Sequence, residues 1–537
     1  MTRPKKILFA ILLLAAILRI VGAPHGLPLF VADDEPPFVL AALKMLELKT
    51  LLPAAHDEFQ DFLYYPPYLA YLLLPFFALV SGFIYLQVGN VDVLKIAVAS
   101  DPSVFFLTAR LVTVALGVLS VYFIYRFVLN MWKEDTPALW AAFFAAMSLL
   151  AVSLSSVARH WTAVFFIFSV ILFFLSNYAL SVRKRYTYSL VAAGVGFGIS
   201  TIAVAALPFI TIWFLFYDRM QWKMILRADW LVRIVPALFL LFALPLALYP
   251  QSMGFLVEAT PAFPPIWRIF ASPFVFGYPF IVSEPIFAVL ALAGLALAFR
   301  KDKRFFWLAV FGLYGYALLF LFLFRFEARF FLPLLPILAA LAGLALSRIR
   351  LRVGIFVGAL ILVCAARLSF LAAAGDTREI ARAWVEENIP HESKIVSYGK
   401  GLRLSKPRAA SAEQEALDGA SVRAADRADA ALPEDALIAR FHSVNLYALQ
   451  NAAFWEDAPS YLASNQYKYL LLADESENQE ARIELLKEVG MSGALVQEFA
   501  GTFGEGIRYA DGHFAGGIPA LFSARSLGPD VVLYELK

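Results

Sequence analysis

Three consecutive carboxylates, Asp33, Asp34 and Glu35, follow the first strongly apolar segment of the chain. A carboxylate within hydrogen-bond reach of a hydroxyl can take its proton, so the triplet could supply a general base. Adjacent acids also repel one another, which can raise the pKa of one of them and tune it as a base. The same residues suit a helix start, with Asp33 or Asp34 at the N-cap and Pro36 in the first turn. The two roles are compatible.

A second set of candidates is cationic and lies where apolar segments end. Arginine presents a planar fork of N–H donors that fits the oxygens of a phosphate. Such groups near a membrane surface suit a phosphate attached to a lipid. The alternative is that they are interfacial anchors whose charge reaches the lipid head groups. The candidates for phosphate binding are Arg110, Arg159, His160, Arg325 and Arg329.

The composition indicates a membrane protein that must hold these groups between apolar helices. Hydrophobic residues make up 61% of the 537 residues and charged residues 16%, against about 25% charged residues in soluble domains. The mean hydropathy is +0.71. The only cysteine, Cys364, excludes an intrachain disulfide and a site with several cysteine ligands. The net charge of +3 is small, and the sequence gives no sign of a nucleic-acid partner.

The apolar runs and the distribution of basic residues together predict about eleven membrane-spanning helices. The run 186–217 is too long for one crossing and is predicted to be a pair of helices that turns near Ser200. The run 66–88 is predicted to lie at the outer surface without crossing. With these two choices, the basic clusters between Arg126 and Arg352 fall on the inner side and the N-terminus is cytoplasmic. The other predicted spans are 6–23, 104–129, 137–157, 160–181, 233–250, 284–300, 304–324, 329–347 and 352–373.

The chain after residue 374 has a different composition and is predicted to be an extracytoplasmic α/β domain. Residues from Asp376 onward read as an amphipathic helix, a turn at Pro390 and a strand. Further strands are predicted at 467–474 and 531–537, with a helix near 480–490. The stretch 408–434 is predicted to be a flexible insertion. The chain therefore divides into residues 1–374, a transmembrane catalytic domain, and 375–537, with long outer loops at 24–103 and 251–283.

Four segments in order resemble one known family. They are DEPPFVLAALKML (34–46), YYPPYLAYLLLPFF (64–77), ARLVTVALGVLSVYFIYR (109–126) and RFFLPLLPILAALAG (329–343). They resemble the GT-C glycosyltransferases of the protein O-mannosyltransferase type, family 39, to which the aminoarabinose transferases of lipid A are related. The resemblance covers roughly residues 1–390. It implies a polytopic α-helical GT-C fold in the plasma membrane with juxtamembrane helices.

The resemblance also implies an activity. Members of the family transfer a monosaccharide from a polyprenyl-phosphate donor to a hydroxyl acceptor on the extracytoplasmic face, with inversion. By position, Asp34 matches the catalytic aspartate and Glu35 its acidic neighbour. Asp33 is an additional acid, so the position of the base could be shifted by one residue. Arg110 and Arg329 match arginines near the donor phosphate. We expect the residues that shape the acceptor cleft to be Tyr65, Pro66 and Pro67.

The chain departs from the family pattern at two places. Many relatives have a second acid between the third and fourth spans, where this chain has Arg159 and His160. Many also have a lysine at the tip of the fifth and sixth spans, where this chain reads GISTIAVAALP without one. The donor phosphate must then be held by arginines, or the donor differs from the usual one.

Several alternatives stay open from the sequence. A transporter or flippase of a lipid-linked sugar is one, and a non-catalytic relative that binds glycans is another. Under the enzyme interpretation the acceptor could be a protein, a lipid or a cell-envelope glycan, since each presents a hydroxyl. No metal ligand is assigned. A divalent cation would find its ligands among the residues of one crowded loop segment, which are His56, Asp57, Glu58 and Asp61.

Overall fold

The computed structural model describes most of the chain and shows a mainly helical protein with one small β-sheet. The described residues are 2–29, 31, 35–60, 63–218, 228–253, 266–322, 328–418, 441–447, 449, 451–474, 480–501, 514 and 516–537.

Helices fill the first two thirds of the chain at nearly all the positions where spans are predicted. This follows from long apolar runs whose backbone groups can be satisfied only internally when no water is near. The helices are α1 (Arg3–Gly22), α2 (Pro36–Leu48), α3 (Tyr68–Val88), α4 (Val91–Ser100), α5 (Ser103–Trp132), α6 (Asp135–Met147), α7 (Leu149–Ser155), α8 (His160–Ser176), α9 (Val182–Ile199), α10 (Ala206–Ile212), α11 (Ala228–Leu248), α12 (Ile266–Ser283), α13 (Pro285–Lys301), α14 (Lys303–Phe322), α15 (Leu335–Leu346) and α16 (Leu351–Ala373).

Among the described residues, four helices are long and apolar enough to cross a membrane. They are Tyr68–Val88, Ser103–Trp132, Ala328–Leu346 and Leu351–Ala373. The predicted pair within 186–217 is confirmed, because α9 ends at Ile199 and a short 3₁₀ helix separates it from α10. The helix α3 is confirmed as a helix, and whether it crosses stays a prediction. The count of eleven spans and the orientation also stay predictions.

The predicted span at 137–157 consists of two helices, and whether it crosses stays a prediction. The helices α6 and α7 meet at Ser148 with a bend of 55°. Ser148 acts as the N-cap of α7, since its Oγ accepts from the Ala151 N–H. A serine inside an apolar run gives no strong signal of a break, because serine is also tolerated within membrane helices.

Two buried charged residues stabilise this break, one at each of its helix ends. The Arg19 guanidinium donates to the carbonyls of Ala145 (3.2 Å) and Ala146 (2.9 Å) at the end of α6. Glu284 accepts from Ser148 Oγ (2.6 Å) and from the Leu150 N–H (2.9 Å) at the start of α7. A cation at a helix C-terminus and an anion at an N-terminus both complement the helix dipole. The break is therefore stabilised by contacts with other parts of the fold.

The predicted outer loop at 251–283 contains the helix α12 in its second half, and its location on the outer side stays a prediction. Local sequence suggested a loop because prolines recur, and proline disfavours helix interiors. Packing outweighs this local preference. The rings of Phe276 and Phe280 stack on Phe331, with centroids 4.5 Å and 5.2 Å apart.

The last third of the chain forms a mixed five-stranded sheet in the order β2-β1-β3-β5-β4. The strands are β1 (Lys394–Tyr398), β2 (His442–Asn445), β3 (Tyr469–Ala473), β4 (Ala494–Phe499) and β5 (Val531–Glu535). The first three pair in parallel and the last two join antiparallel. The helices are α17 (Thr377–Asn388), α18 (Arg408–Asp418), α19 (Ala452–Glu456), α20 (Ala458–Ser464), α21 (Glu480–Met491) and α22 (Ile518–Ser523).

The predicted strands at 467–474 and 531–537 and the helix near 480–490 are confirmed. The predicted flexible insertion at 408–434 is wrong for its first part, which is the helix α18. This helix is held because Gln414 bonds to the backbone of Asn445 at both its amide ends, at 2.9 Å and 2.7 Å. Residues 419–434 lie outside the described part of the chain. The boundary at 374 and the extracytoplasmic location stay predictions.

The sheet-bearing part contacts the segment that follows α1. His25 Nε2 lies 3.6 Å from Asp376 Oδ2, and the Arg378 guanidinium donates to both oxygens of the same carboxylate. The turn after β1 is also close, because a Cβ added at Gly401 (φ +73°) would lie 3.5 Å from Val31 Cα. The sheet-bearing part is thus joined to the chain just before the acidic triplet.

Candidate functional site

The residue at the centre of the candidate site is Glu35, which the structure describes at the start of α2. Its carboxylate pairs with Arg110 of α5 in a bidentate manner. Arg110 Nε donates to Oε1 and Nη2 donates to Oε2, each at 2.6 Å. Both side chains are fully buried. Glu35 of the acidic triplet and Arg110 of the predicted cationic set therefore meet, although they are 75 positions apart in the chain.

Both partners of this ion pair have further hydrogen bonds that complete their coordination. Arg110 Nη1 donates to the carbonyls of Ala23 and His25, each at 2.7 Å. Glu35 Oε1 also accepts from the Ala158 N–H at 2.8 Å. A buried ion pair is stable only when such bonds satisfy the remaining donors and acceptors. In this geometry the Glu35 carboxylate and the Arg110 guanidinium are occupied by each other and by neighbouring backbone groups.

The N-cap of α2 is Glu35 and not Asp33 or Asp34 as predicted. Pro36 follows as the first helical residue, and the Glu35 side chain makes no capping bond to its own helix. The carboxylate instead extends across to α5. The carboxylate could bond either to the N–H groups at the start of α2 or to the guanidinium on α5. It bonds to the guanidinium because a bond to a charged donor is stronger than one to a neutral N–H.

The turn between α7 and α8 carries Ala158 and the next three residues into the site. Thr113 Oγ1 lies 3.1 Å from the Ser155 carbonyl and 3.0 Å from the Val157 carbonyl. Gly117 allows the close approach, because an added Cβ there would lie 2.5 Å from Ser155 Oγ. The turn is therefore fixed to α5, the helix that also carries Arg110.

His160 begins α8 and is buried among aromatic rings. Its ring centroid lies 4.6 Å from Tyr65, 4.7 Å from Trp161 and 5.6 Å from Phe38. The imidazole is 1% exposed. Within the described part of the chain, neither ring nitrogen of His160 has a hydrogen-bond partner, and the same holds for Trp161 Nε1. These polar atoms are buried but not used by the fold.

Two arginines from the predicted set accompany His160. Arg159 is fully buried and Arg329 is 7% exposed. Phe330, which follows Arg329, packs on Trp161 with centroids 5.1 Å apart. Residues from the turn before α8 and from the segment before α15 thus converge.

The predicted acceptor-cleft residues precede α3. Tyr65 stacks on Phe38 with ring centroids 4.9 Å apart, in addition to its contact with His160. Pro66 and Pro67 are buried, and Pro67 occupies the N-cap of α3. Tyr65 therefore lies in the same cluster as His160, whereas the two prolines fix the start of the helix.

Three predicted site residues, Asp33, Asp34 and Arg325, lie outside the described residues. Asp34 directly precedes Glu35 in the chain, and Arg325 lies four residues before Arg329. Their roles stay predictions. Asp61 is likewise outside. Among the residues that are described, no group of three or more histidine, cysteine, aspartate or glutamate side chains could hold a metal ion.

Sequence reasoning missed the buried residues that support the site from a distance. Arg19 and Glu284 hold the break before the turn, and His25 and Asp376 join the sheet-bearing part to the same region. One signal was available for Arg19, since an arginine within an apolar span usually has a structural or functional role. Glu284 and Asp376 gave no comparable signal, because each lies where an apolar run begins or ends.

The chain was compared with known families and structures. No family model matches the chain, and no curated protein matches it. Several solved structures show a partial likeness. ArnT from Cupriavidus metallidurans bound to undecaprenyl phosphate is 12% identical with a TM-score of 0.49, over 98% of this chain and 97% of that one.

Two others are less similar by TM-score. The Archaeoglobus fulgidus oligosaccharyltransferase complex with Zn and sulfate is 14% identical with a TM-score of 0.46, over 95% of this chain and 73% of that one. The arabinofuranosyltransferase AftD from Mycobacteria is 14% identical with a TM-score of 0.42, over 100% of this chain and 40% of that one. At these identities and TM-scores the likeness carries no argument about activity.

Proposed function

We propose that this chain is a membrane glycosyltransferase of the GT-C type. It transfers a monosaccharide from a polyprenyl-phosphate donor to an acceptor hydroxyl with inversion. The observation that carries the proposal is the convergence of residues from distant segments. Glu35, Arg110, His160 and Tyr65 are joined by direct contacts or through the turn at Ala158, and Phe330, which follows Arg329, packs on Trp161. The site candidates that the sequence had already given among these residues are Glu35, Arg110, His160, Tyr65 and Arg329.

The phosphate of the donor is assigned to Arg159 and Arg329. A phosphate that leaves the sugar is a weak base, so its departure needs stabilisation of negative charge and no proton. Two buried guanidinium groups supply that charge. The N-terminus of α8, which begins directly after Arg159, adds backbone N–H groups that favour an anion.

The acceptor hydroxyl must lose its proton as it attacks, and Asp34 is the proposed base. Glu35 and Arg110 take positioning roles in this proposal, because their bonds fix the backbone next to Asp34. Asp33 is the alternative base. One carboxylate acting in a single displacement gives inversion at the anomeric carbon, whereas retention usually needs a second, nucleophilic carboxylate.

The acceptor is proposed to approach between Tyr65 and the sheet-bearing part of the chain. That part contacts the chain just before the triplet through Asp376 and through the turn at Gly401. It is therefore placed to recognise an acceptor, which could be a protein, a lipid or a cell-envelope glycan. The proposed location is the plasma membrane, with the N-terminus in the cytoplasm.

The break between α6 and α7 bears on the transporter or flippase alternative. Transporters often bind substrates or ions at the ends of broken helices. Here the protein's own Arg19 and Glu284 bind the groups at this break. The break therefore serves to place the turn before α8, which supports the enzyme interpretation.

The experiment that tests the function is transfer of radiolabelled sugar to a membrane extract by the purified full-length chain. The donors are undecaprenyl phosphates that carry mannose, glucose or arabinose. We expect transfer from at least one donor by the unmodified protein. Asp34→Asn should lower the rate about 10²- to 10⁴-fold, the range for loss of a general base.

Two further variants make the result specific. Asp92→Asn alters an exposed acid in α4 and should leave the rate unchanged. Asp33→Asn should have a much smaller effect than Asp34→Asn. Loss of transfer in Asp33→Asn alone would move the base to Asp33. Equal rates in the unmodified protein and both triplet variants would remove the base from this position, and the absence of transfer from every donor would overturn the proposed function.

A further inference from the structure

Two neighbouring side chains at the start of α8 have buried polar atoms that the fold does not use. His160 is 1% exposed and Trp161 is 2% exposed. As described above, both imidazole nitrogens and the indole Nε1 have no hydrogen-bond partner among the described residues. More than about 90% of buried polar groups in proteins have a partner. Such atoms also occur elsewhere among the described residues, for example at Trp132 and Trp213. The pair at the start of α8 differs because three unpartnered atoms lie on adjacent residues beside the buried Arg159, which indicates a position that a ligand completes.

The chemistry of the two side chains limits which ligand group fits. A neutral imidazole has one N–H donor and one acceptor nitrogen, and an indole has a donor only. The acceptor nitrogen needs a ligand group that carries a proton. A hydroxyl supplies both a proton and a lone pair, whereas an ionised phosphate diester oxygen only accepts. A hydroxyl-bearing ring is therefore a better match than a phosphate.

The surroundings of the two side chains also suit a sugar ring. Tyr65, His160 and Trp161 form a row of rings with successive centroids 4.6 Å and 4.7 Å apart. A sugar combines an apolar C–H face with polar hydroxyl edges, so aromatic rings and orphan polar atoms together match both parts. Arg159 precedes this pair in the chain, and the phosphate of a glycosyl phosphate is bonded directly to the sugar.

We infer that His160 and Trp161 form the subsite for the sugar ring of the donor, and that its ligand is a neutral monosaccharide that presents hydroxyls. The inference rests on the proposed function and refines it. It assigns His160 to the sugar, whereas the sequence had assigned it to the phosphate with Arg159 and Arg329. In this chain these residues occupy the place where many family relatives have an acid.

The test compares binding of two probes by the purified full-length protein in detergent. One probe is undecaprenyl phosphate and the other is undecaprenyl phosphate that carries mannose, glucose or arabinose. We expect at least one glycosylated probe to bind more tightly than the bare lipid. His160→Leu and Trp161→Phe should each weaken binding of that probe about two- to tenfold, since each removes a hydrogen bond. Binding of bare undecaprenyl phosphate should stay the same.

Two control variants alter the same residue types elsewhere. Trp307→Phe lies on α14, where the side chain is 43% exposed. His391→Gln lies in an exposed turn before β1. Neither should change the affinity for either probe. A variant that does not fold is recognised by its elution profile, and the second site variant then carries the test.

The outcomes separate the subsite from the function on which it rests. Equal weakening for the bare and the glycosylated lipid would place His160 on the phosphate and overturn the inference. Equal affinity of the unmodified protein for both probes would also overturn it, while the phosphate site would stand. Failure to bind any lipid phosphate would overturn the proposed function and the subsite together.

Discussion

Two buried polar groups of residues meet at the turn between α7 and α8, and they differ in how completely they are satisfied. On one side, Glu35, Arg110 and the Ala158 N–H are joined by short hydrogen bonds, with two carbonyls completing the arginine. On the other side, His160 and Trp161 keep polar atoms without partners among the described residues. Only two residues, Arg159 and His160, lie between Ala158, which contacts Glu35, and Trp161.

The difference separates structural support from ligand binding. A polar group whose hydrogen bonds are all made within the protein has no free donor or acceptor for a substrate. A buried group without a partner costs stability, and a fold retains it when a ligand or a reaction uses it. The two sides should therefore respond to mutation with opposite signs in stability.

The largest effect is expected from breaking the ion pair. Arg110→Leu leaves the Glu35 carboxylate buried without its cation, which costs about 3–5 kcal/mol in free energy of unfolding. The double variant Arg110→Leu with Glu35→Leu should recover part of that loss, because no charge is then left unpaired. Thermal unfolding in detergent measures both. A double variant less stable than the single one would show that the unpaired Glu35 charge is not the cause of the loss.

The buried carboxylate of Asp376 is also fully bonded within the protein, so its loss should also lower the free energy of unfolding, by a smaller amount. Burial works to raise the pKa of Asp376, but the charge and hydrogen bonds of Arg378, together with His25, hold that pKa well below its usual range. Asp376→Asn should cost about 1–3 kcal/mol near neutral pH. The stability that the ionised carboxylate contributes is complete above about pH 4, the pKa of an unfolded aspartate, and is lost as pH falls further.

The measurement for this prediction is the unfolding temperature of the protein and of Asp376→Asn between pH 3 and pH 7. The gap between the two should be constant in the upper part of the range and should narrow below about pH 4. A gap that widens on acidification would contradict the assigned direction of the shift.

The opposite sign is expected on the other side of the turn. His160→Leu replaces a buried polar ring without partners by an apolar side chain of similar size, which should stabilise the unliganded protein by about 1 kcal/mol. The same variant should bind the glycosylated lipid less well. Thermal unfolding without ligand measures the first effect, and a loss of stability comparable to that of Arg110→Leu would contradict the comparison.

The smallest effect is expected for an ion pair outside the buried region. Lys44 and Glu47 lie 2.6 Å apart on α2, with side chains 29% and 43% exposed. Lys44→Gln should change the free energy of unfolding by no more than about 0.5 kcal/mol, because water screens the pair. Comparison of this variant with Arg110→Leu shows how much of the stability loss at a buried ion pair is due to burial and how much to the ion pair itself.

Much of the fold and part of the site could be predicted from the sequence. Long apolar runs determine where helices form, and the pair in 186–217 followed from the length of the run together with the distribution of basic residues. The break at Ser148 and the helix α12 could not be predicted, because each depends on contacts with distant residues such as Glu284 and Phe331. For the same reason, Glu35 and Arg110 were recognised as site residues, but their mutual pairing was not foreseen.

The most direct test of the account is the thermal stabilisation that a glycosylated undecaprenyl phosphate gives to the unmodified protein and to His160→Leu. A ligand that binds only the folded state raises the unfolding temperature in proportion to its binding free energy. We predict that His160→Leu unfolds at a higher temperature without ligand and gains less from the ligand than the unmodified protein does. A variant that starts lower and gains as much as the unmodified protein would show that His160 serves the fold and not the donor.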